Sequence, residues 1–399
     1  MAREPRTPVA EGDIRGLKYF KILNPILDRI HSDGTGRDRA GNRQLFFDQY
    51  ASLILLYYFT PVITGLRGIQ QASQLEKVQE KLGIKPTSLG SLSEAAGVFD
   101  PGLLREVLGE LARKAVPPVT GREAEALRGL TAVDGTPLAA LPRMAWALWL
   151  DDRNRAVKVH LHFDVLKGVP EDATLTAGCA SETAQLRAGL KPDRLYAVDR
   201  GYADYTLFRE ILDAGSGFVG RLKSSAVTHP EQEFPLSDAA RRAGVTADRT
   251  ALLGGTASGM ALQDPVRIAE FRTGKLDDRG KPEVFRPVTN RLDLDADLVA
   301  LAYFYRWQIE LFFRWFKCVL GCKHLLSTRP GGIAIQVYLG LIASLLITLA
   351  TGAKPAKRTW EMLQFHFAGW ATAEELDAHL ADLEKKRRGA LAKSKTRPA

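Results

Sequence analysis

The chain is poor in the features of a secreted or membrane-bound protein. Its 399 residues include three cysteines, Cys179, Cys318 and Cys322. So low and odd a count argues against a disulfide framework and fits a reducing cytoplasm. The start, Met1 to Gly12, is polar and charged and lacks the apolar core of a secretory signal. Long apolar runs are scarce as well. Ala51 to Gly65 is short and carries Pro61, whereas Ile333 to Ala350 approaches the roughly 18 residues of a membrane span. The second run holds Gln336, Ser344 and Thr348, and it reads as a buried core helix. No internal repeat is present. One sign of charge is missing from the tail: Lys385 to Arg397 holds seven basic residues and no acidic one. Such a tail is expected to be disordered and to bind phosphate backbones without sequence preference.

What is present is an ordinary globular composition with a basic excess. Hydrophobic residues make up 45% and charged residues 25%, and the formal net charge is +9, which favours polyanionic partners. One core rarely grows past about 250–300 residues, so several structural units are expected. The first 125 residues read as helical. Gln49 to Phe59 and Gly68 to Leu82 carry apolar residues at helical spacing, Gly83 is a stop for the second, and a short helix follows from Ser88 to Ala96. Short helices joined by tight turns fit either a helix-turn-helix reader of DNA or a plain helical hairpin.

Near Leu130 the pattern changes. Leu130 to Asp134, Ala145 to Leu150 and Ala156 to Phe163 read as strands, with Asp151 to Asn154 as a hairpin turn. Leu195 to Val198 is a further strand, Thr206 to Ala214 a helix and Gly217 to Leu222 a strand. Three hairpin-connected strands followed by strand–helix–strand is the order of a ribonuclease-H-like α/β layer. Ser224 to Asn290, rich in Gly, Thr, Asp and Arg, reads as a β-rich insertion that includes a loop at Asp277 to Gly280. The expected organisation is α/β. A helical N-terminal DNA-binding region spans 1–125, and a ribonuclease-H-like core lies in two parts, 126–223 and 292–350. The insertion covers 224–291, and a helical C-terminal region with the basic tail covers 351–399.

Two aspartates occupy equivalent places. Asp134 closes Thr131-Ala-Val and Asp199 closes Tyr196-Ala-Val, and glycine follows each closely. On neighbouring strands their carboxylates meet, and like charges that close need a cation; Mg²⁺ prefers carboxylate oxygens. Taken singly, each aspartate is equally a cap on a strand–loop junction. The third group lies on a helix read over Ala296 to Leu320. At about 100° per residue, Arg306, Glu310 and Lys317 fall near −60°, −20° and −40° from Tyr303, on one polar stripe of an otherwise apolar circumference. Buried charge on such a stripe needs partners. Those partners are either an internal network, with Glu310 pairing to Arg306 and Lys317, or groups beyond the helix.

The spacing Tyr303-x2-Arg306-x3-Glu310-x6-Lys317 resembles the signature of DDE transposases from bacterial insertion sequences, specifically insertion sequence family four. Asp134-Gly-Thr resembles the family's first aspartate motif. Asp199-Arg-Gly-Tyr202, followed by Phe208 and Phe218 to Arg221, resembles the second. Asp134 and Asp199 are 65 positions apart, and Glu310 follows 111 positions later, the longer gap that a β-insertion implies in this family. The resemblance covers about Leu130 to Leu325 well and the N-terminus loosely.

It implies an enzyme that excises and integrates an insertion sequence. Asp134, Asp199 and Glu310 would hold two Mg²⁺ ions, with Mn²⁺ as a substitute, about 3.5–4 Å apart. A hairpin intermediate links cleavage to strand transfer in relatives. Tyr303, Arg306 and Lys317 would contact phosphates near the scissile bond. Arg221, at a strand end, is a further candidate for DNA contact. The partners implied are double-stranded transposon ends and target DNA, with a homodimer in a synaptic complex, no membrane and a bacterial cytoplasmic, nucleoid-associated location. Two other functions share the fold: an inactive or repurposed DNA-binding protein, and a host nuclease that never joins strands.

Other residues have plainer readings. Trp307, at the stripe's edge, reads as core packing before base stacking. His160 and His162 share a strand face without further soft ligands. Cys318, Cys322 and His324 lack a fourth zinc ligand, so the cysteines read as small buried side chains. Asp293, Asp295 and Asp297 read as a cap and a favourable charge at a helix start.

Overall fold

The structure, a computed structural model, describes residues 27, 29–31, 44–118, 121–140, 144–147, 155–254, 261–276, 280 and 282–396. It divides into two compact units. Residues 115–314 form one, and residues 1–114 with 315–398 form the other.

The N-terminal part of the helical unit holds α1 Phe47–Phe59, α2 Leu66–Ser73, α3 Glu76–Leu82, α4 Leu89–Val98 and α5 Pro101–Lys114. The helix expected over Gly68 to Leu82 is therefore two, broken between Ser73 and Glu76. Gly83 ends α3 with φ 63°, the left-handed conformation that glycine adopts without penalty. Ser88 caps α4 by accepting from the Ser91 N–H.

The α/β unit opens with α6 Arg122–Ala126 and then the strands β1 Leu130–Ala139, β2 Ala156–Asp164 and β3 Val169–Ala177. The helix α7 Glu182–Ala188 leads to β4 Leu195–Ala197, α8 Tyr205–Asp213 and β5 Gly217–Arg221. The next strands are β6 Thr228–Glu233, β7 Val245–Gly254, β8 Ala261–Leu276, β9 Pro282–Phe285 and β10 Pro287–Thr289, with α9 Asp238–Arg242 between β6 and β7. They form one ten-stranded sheet in the order β3-β2-β1-β4-β5-β10-β8-β7-β6, with β9 paired to β8. β1, β4 and β5 are parallel at its centre, and the remaining pairs are antiparallel.

Two sequence expectations change. Residues 144–147 contain a turn where a strand was expected, while residues 148–154, with the expected hairpin turn, lie outside the described residues. Instead β1 runs on to Ala139 and pairs directly with β2. The strands after Ser224 do not stand apart from the core sheet. β10 bonds to β5 on one side and β8 on the other, so β6 to β9 extend the same sheet. Residues 277–279 of the expected loop are outside the described residues.

A core of Tyr196, Val198, Phe208, Ile211, Phe218, Leu253, Val266, Ile268 and Val288 fills this unit. The α8 helix binds the sheet through Phe208, stacked on Phe218 with ring centroids 4.0 Å apart. Over the sheet lie α10 Ala296–Tyr305, packed against β4, β5, β7, β8 and β10, and α11 Trp307–Arg314, packed against β1.

The helical unit resumes with a π-helical turn, Trp315–Val319, then α12 Pro330–Thr351, α13 Lys357–Phe367 and α14 Ala373–Thr396. Every residue of α12 from Gly332 to Thr348 is buried, and the helix packs against α5, α1 and α4. The Tyr58 hydroxyl donates to the Gln336 carbonyl at 2.9 Å, satisfying a polar atom deep in this packing. Residues 385–396, expected to be disordered, continue α14. Their Ala, Leu, Lys and Arg are strong helix formers, so propensity outweighs like-charge repulsion there.

Candidate active site

The parallel pairing of β1 with β4 ends at Ala132 opposite Ala197. Asp134 and Asp199 each follow two residues beyond that last pair, so the two strands deliver their carboxylates at matching positions. Asp134 lies within β1, which continues beside β2 after β4 has ended. The sequence placed it at a strand end; the strand runs on because one side of it is still paired. Asp199 starts the 3₁₀ turn Arg200–Tyr202. Each carboxylate is fixed by its own following residue: the Gly135 N–H donates to Asp134 Oδ1 at 2.8 Å, and the Arg200 N–H to Asp199 Oδ1 at 2.6 Å.

Arg306 and Glu310 face these aspartates from the α10–α11 junction. Arg306 Nη2 donates to Glu310 Oε1 at 2.9 Å across one helical turn. Burial works against the charge of Arg306, but Asp199, Tyr303 and Glu310 beside it outweigh burial and raise its pKa. Its buried Nε has no hydrogen-bond partner. Burial also pushes the Asp134 carboxyl up to about 6; Glu182 and Glu310 add to the rise, while the Gly135 N–H and Arg306 oppose it. Tyr303 is buried, which raises its phenol; Arg306 opposes the rise and Asp199 adds to it. Asp134, Asp199, Tyr303, Arg306 and Glu310 thus form one electrostatic cluster. Among the described residues, no three His, Cys, Asp or Glu side chains converge closely enough to hold one metal ion. Arg306 is a cation paired with Glu310 and electrostatically coupled to Asp134 and Asp199. The donor set itself, three carboxylates of which one is largely buried, is oxygen-only and suits a hard divalent cation.

The stripe read from the sequence is interrupted twice. Arg306 sits in a tightened turn: its N–H donates to Tyr303 O and the Ile309 N–H to Arg306 O, both i→i+3 bonds. After Arg314 the Trp315–Val319 turn is π-helical, with the Leu320 N–H bonded to Trp315 O. The 100° step that put Lys317 in line with Glu310 fails inside a wider turn. Lys317 is half-buried and belongs to the helical unit.

The helix is not apolar and buried all round either. Phe304, Trp307 and Leu311 are 51%, 51% and 48% exposed, so Trp307 is not a core residue. Arg221 is tied at 3.1 Å to Glu283, and its guanidinium lies 3.6 Å from the centre of the Phe285 ring.

The remaining candidates have local roles. His160 bonds Thr176 at 2.8 Å, and burial lowers its pKa to about 4. Cys318 is exposed and Cys322 buried, so the expectation of two buried cysteines holds for one. Asp295 takes the N-cap position of α10 without a capping bond and pairs with Arg122, while Asp293 pairs with Arg291. Glu182 was not singled out from the sequence. After Ser181 it reads as an acidic residue at a helix start, and only the fold brings it to Asp134.

Comparison with known proteins adds an independent observation. A family model described as transposase DDE domain matches residues 125–346. The chain is 26% identical over 251 residues to the putative transposase y4zB of Sinorhizobium fredii, covering 62% of this chain and 66% of that protein. It is 25% identical over 219 residues to a probable transposase for insertion sequence element IS5377 of Geobacillus stearothermophilus, covering 55% of each. The chain thus spans less than two thirds of the length of either relative. A piggyBac transposase synaptic complex with hairpin DNA superposes with a TM-score of 0.46 at 11% identity, over 92% of this chain and 81% of that one.

Proposed function

This chain belongs to the transposase DDE domain family, and from that premise we propose that it is a DNA transposase of an insertion sequence, cutting and joining strands at Asp134, Asp199 and Glu310. The observation that carries the proposal is the matched register of the two aspartates beyond the β1–β4 pairing, with Glu310 and Arg306 facing them. Its finer parts are a ribonuclease-H-like core, membership of insertion sequence family four, a hairpin intermediate, and a homodimer on paired DNA ends in a bacterial cytoplasm.

Asp134, Asp199 and Glu310 would hold the divalent ions, Mg²⁺ or Mn²⁺, whose charge activates an attacking oxygen and stabilises a leaving one. The protein's own groups do the rest. The Gly135 and Arg200 N–H groups orient the two aspartates before any ligand arrives. Arg306 offsets part of the carboxylates' charge in the free protein, and its guanidinium is the group that would meet a phosphate oxygen. Tyr303 lies beside it, with the guanidinium 5.8 Å from its ring centre, and shares the phosphate contact. Lys317, in the helical unit, would be a further phosphate contact. Arg221, paired with Glu283 and lying over the Phe285 ring, would contact DNA by exchanging Glu283 for a phosphate.

The test is incubation of the protein with linear DNA carrying the gene's flanking ends, in Mg²⁺ or Ca²⁺, scored for nicks, hairpins and joined products. Mg²⁺ should give all three. Glu310→Gln should lower cleavage by about a hundred- to a thousandfold, the loss that removal of one group stabilising transition-state charge produces. A Glu310→Gln protein that still cuts would remove Glu310 from the site. Nicks without joined products would leave a nuclease.

A further inference from the structure

The two aspartate segments share a third residue. Glu182, the first residue of α7, lies against Gly135 so closely that a Cβ there would stand 2.8 Å from Glu182 Oε1 and 3.0 Å from its Cδ. The same carboxylate lies beside the hydroxyl of Tyr202, which is 2% exposed; burial first and then Glu182 raise that phenol. Tyr202 closes the turn that begins at Asp199, its N–H donating to the Asp199 carbonyl at 3.0 Å. Glu182 therefore touches the residue after Asp134 on one side and the turn of Asp199 on the other. Lys158 Nζ lies 3.2 Å from Oε1, so the carboxylate has a counterion of its own. Lys158 comes from β2 and is itself largely buried.

These contacts explain three sequence choices at once. Position 135 is glycine because Glu182 occupies the space a side chain would take. Position 202 is tyrosine, where phenylalanine would fill the buried volume as well, because its hydroxyl has a carboxylate beside it. Position 158, a mid-strand site, is lysine because an unpaired carboxylate beside Asp134 would be repelled.

We propose that Glu182 is a positioning residue of the active site, holding the Asp199 turn to the Asp134 strand through the Tyr202 hydroxyl. β1 and β4 stop pairing before either aspartate, so no backbone ladder fixes the spacing of the two carboxylates. The Gly135–Glu182–Tyr202 bridge supplies that fixation. The inference rests on the active site proposed above.

The experiment is a cycle of Glu182→Ala, Tyr202→Phe and their double variant, with Glu182→Gln as the conservative change, all in the full chain. Two quantities are read: Mn²⁺ affinity by electron paramagnetic resonance without DNA, and kcat for end cleavage. A hydrogen bond to a charged group is worth about tenfold, so Glu182→Ala and Tyr202→Phe should each weaken both readouts by roughly that factor. The double variant should be no worse than either single one, because both remove the same bridge. Glu182→Gln keeps an acceptor for Tyr202 and should recover most of the loss. Gly135→Ala, which displaces the Glu182 carboxylate, should behave like Glu182→Ala. Tyr202→Phe keeps the buried ring, so its fold is secure even if Glu182→Ala melts early. Wild-type values for Tyr202→Phe, additive losses in the double variant, or a Gln variant as poor as Ala would each overturn the proposal. A wild-type protein that neither binds Mn²⁺ nor cuts would instead overturn the site on which it rests.

Discussion

Asp134 shows how much a single carboxyl depends on its surroundings. Burial raises its pKa from 3.8 to about 6, so the folded protein binds this proton more tightly than the unfolded chain. Stability from this group is therefore fully present below about pH 4 and is lost as pH rises through about 6. In the metal-free protein, Asp134→Asn should raise stability at pH 7 by on the order of 2 kcal/mol and flatten its fall between pH 4 and 7. Asparagine retains an oxygen for the Gly135 N–H, so the gain is electrostatic and not a matter of packing. Chemical denaturation with EDTA across that range checks it, and equal pH slopes for the two proteins would count against the burial argument. Because a cation requires the ionised form, Mn²⁺ affinity in the parent protein should fall below about pH 6 with uptake of a proton.

At the scale of elements, the site depends on how short segments are held. β4 is only three residues long, yet it carries Asp199 just past its end. It keeps its place because β1 and β5 flank it, and α8 packs against β5 and β8. Phe208 of α8 is fully buried and stacked on Phe218 of β5. Phe208→Ala should cost about 3–5 kcal/mol by opening a cavity there. Thermal melting and amide exchange in β4 and β5 measure this; protection unchanged in β4 would show that α8 does not hold the strand. The α10–α11 junction is an element effect of another kind. Tyr303, Arg306 and Glu310 were legible as a group from their spacing, since all lie within two turns of nearly regular helix. The π turn that holds Lys317 was not legible, because its wider winding leaves no mark in a hydrophobic pattern.

At the scale of the whole molecule, the chain divides by packing and not by its order. Asp134, Asp199, Glu182, Arg306 and Glu310 all lie within residues 115–314, a contiguous stretch that closes its own sheet around its own core. This stretch alone should fold cooperatively and bind Mn²⁺, while Lys317 and the basic C-terminal end of the chain from Lys385 lie outside it and their loss should weaken DNA binding. Circular dichroism, a single melting transition and a Mn²⁺ titration of the fragment test this, and an aggregated or unfolded fragment would show that the helical unit is required. The helical unit holds together through α12, whose buried length packs against α1, α4, α5 and the π turn.

The sequence alone determined the local and the chemical. Most strand and helix types follow from patterns a few residues wide, and Asp134, Asp199, Arg306 and Glu310 were singled out by residue type, spacing and the family resemblance. The coupling of 130–134 with 195–198 was conditional in the sequence and is settled by the β1–β4 register. Only the tertiary structure decided which charges meet. It set Arg306 beside Asp134 and Asp199, brought Glu182 against Gly135, exposed Trp307 and joined the strands after Ser224 to the central sheet. Those outcomes depend on contacts between residues tens of positions apart, and burial sets their strength; neither quantity is encoded in any short window of the chain.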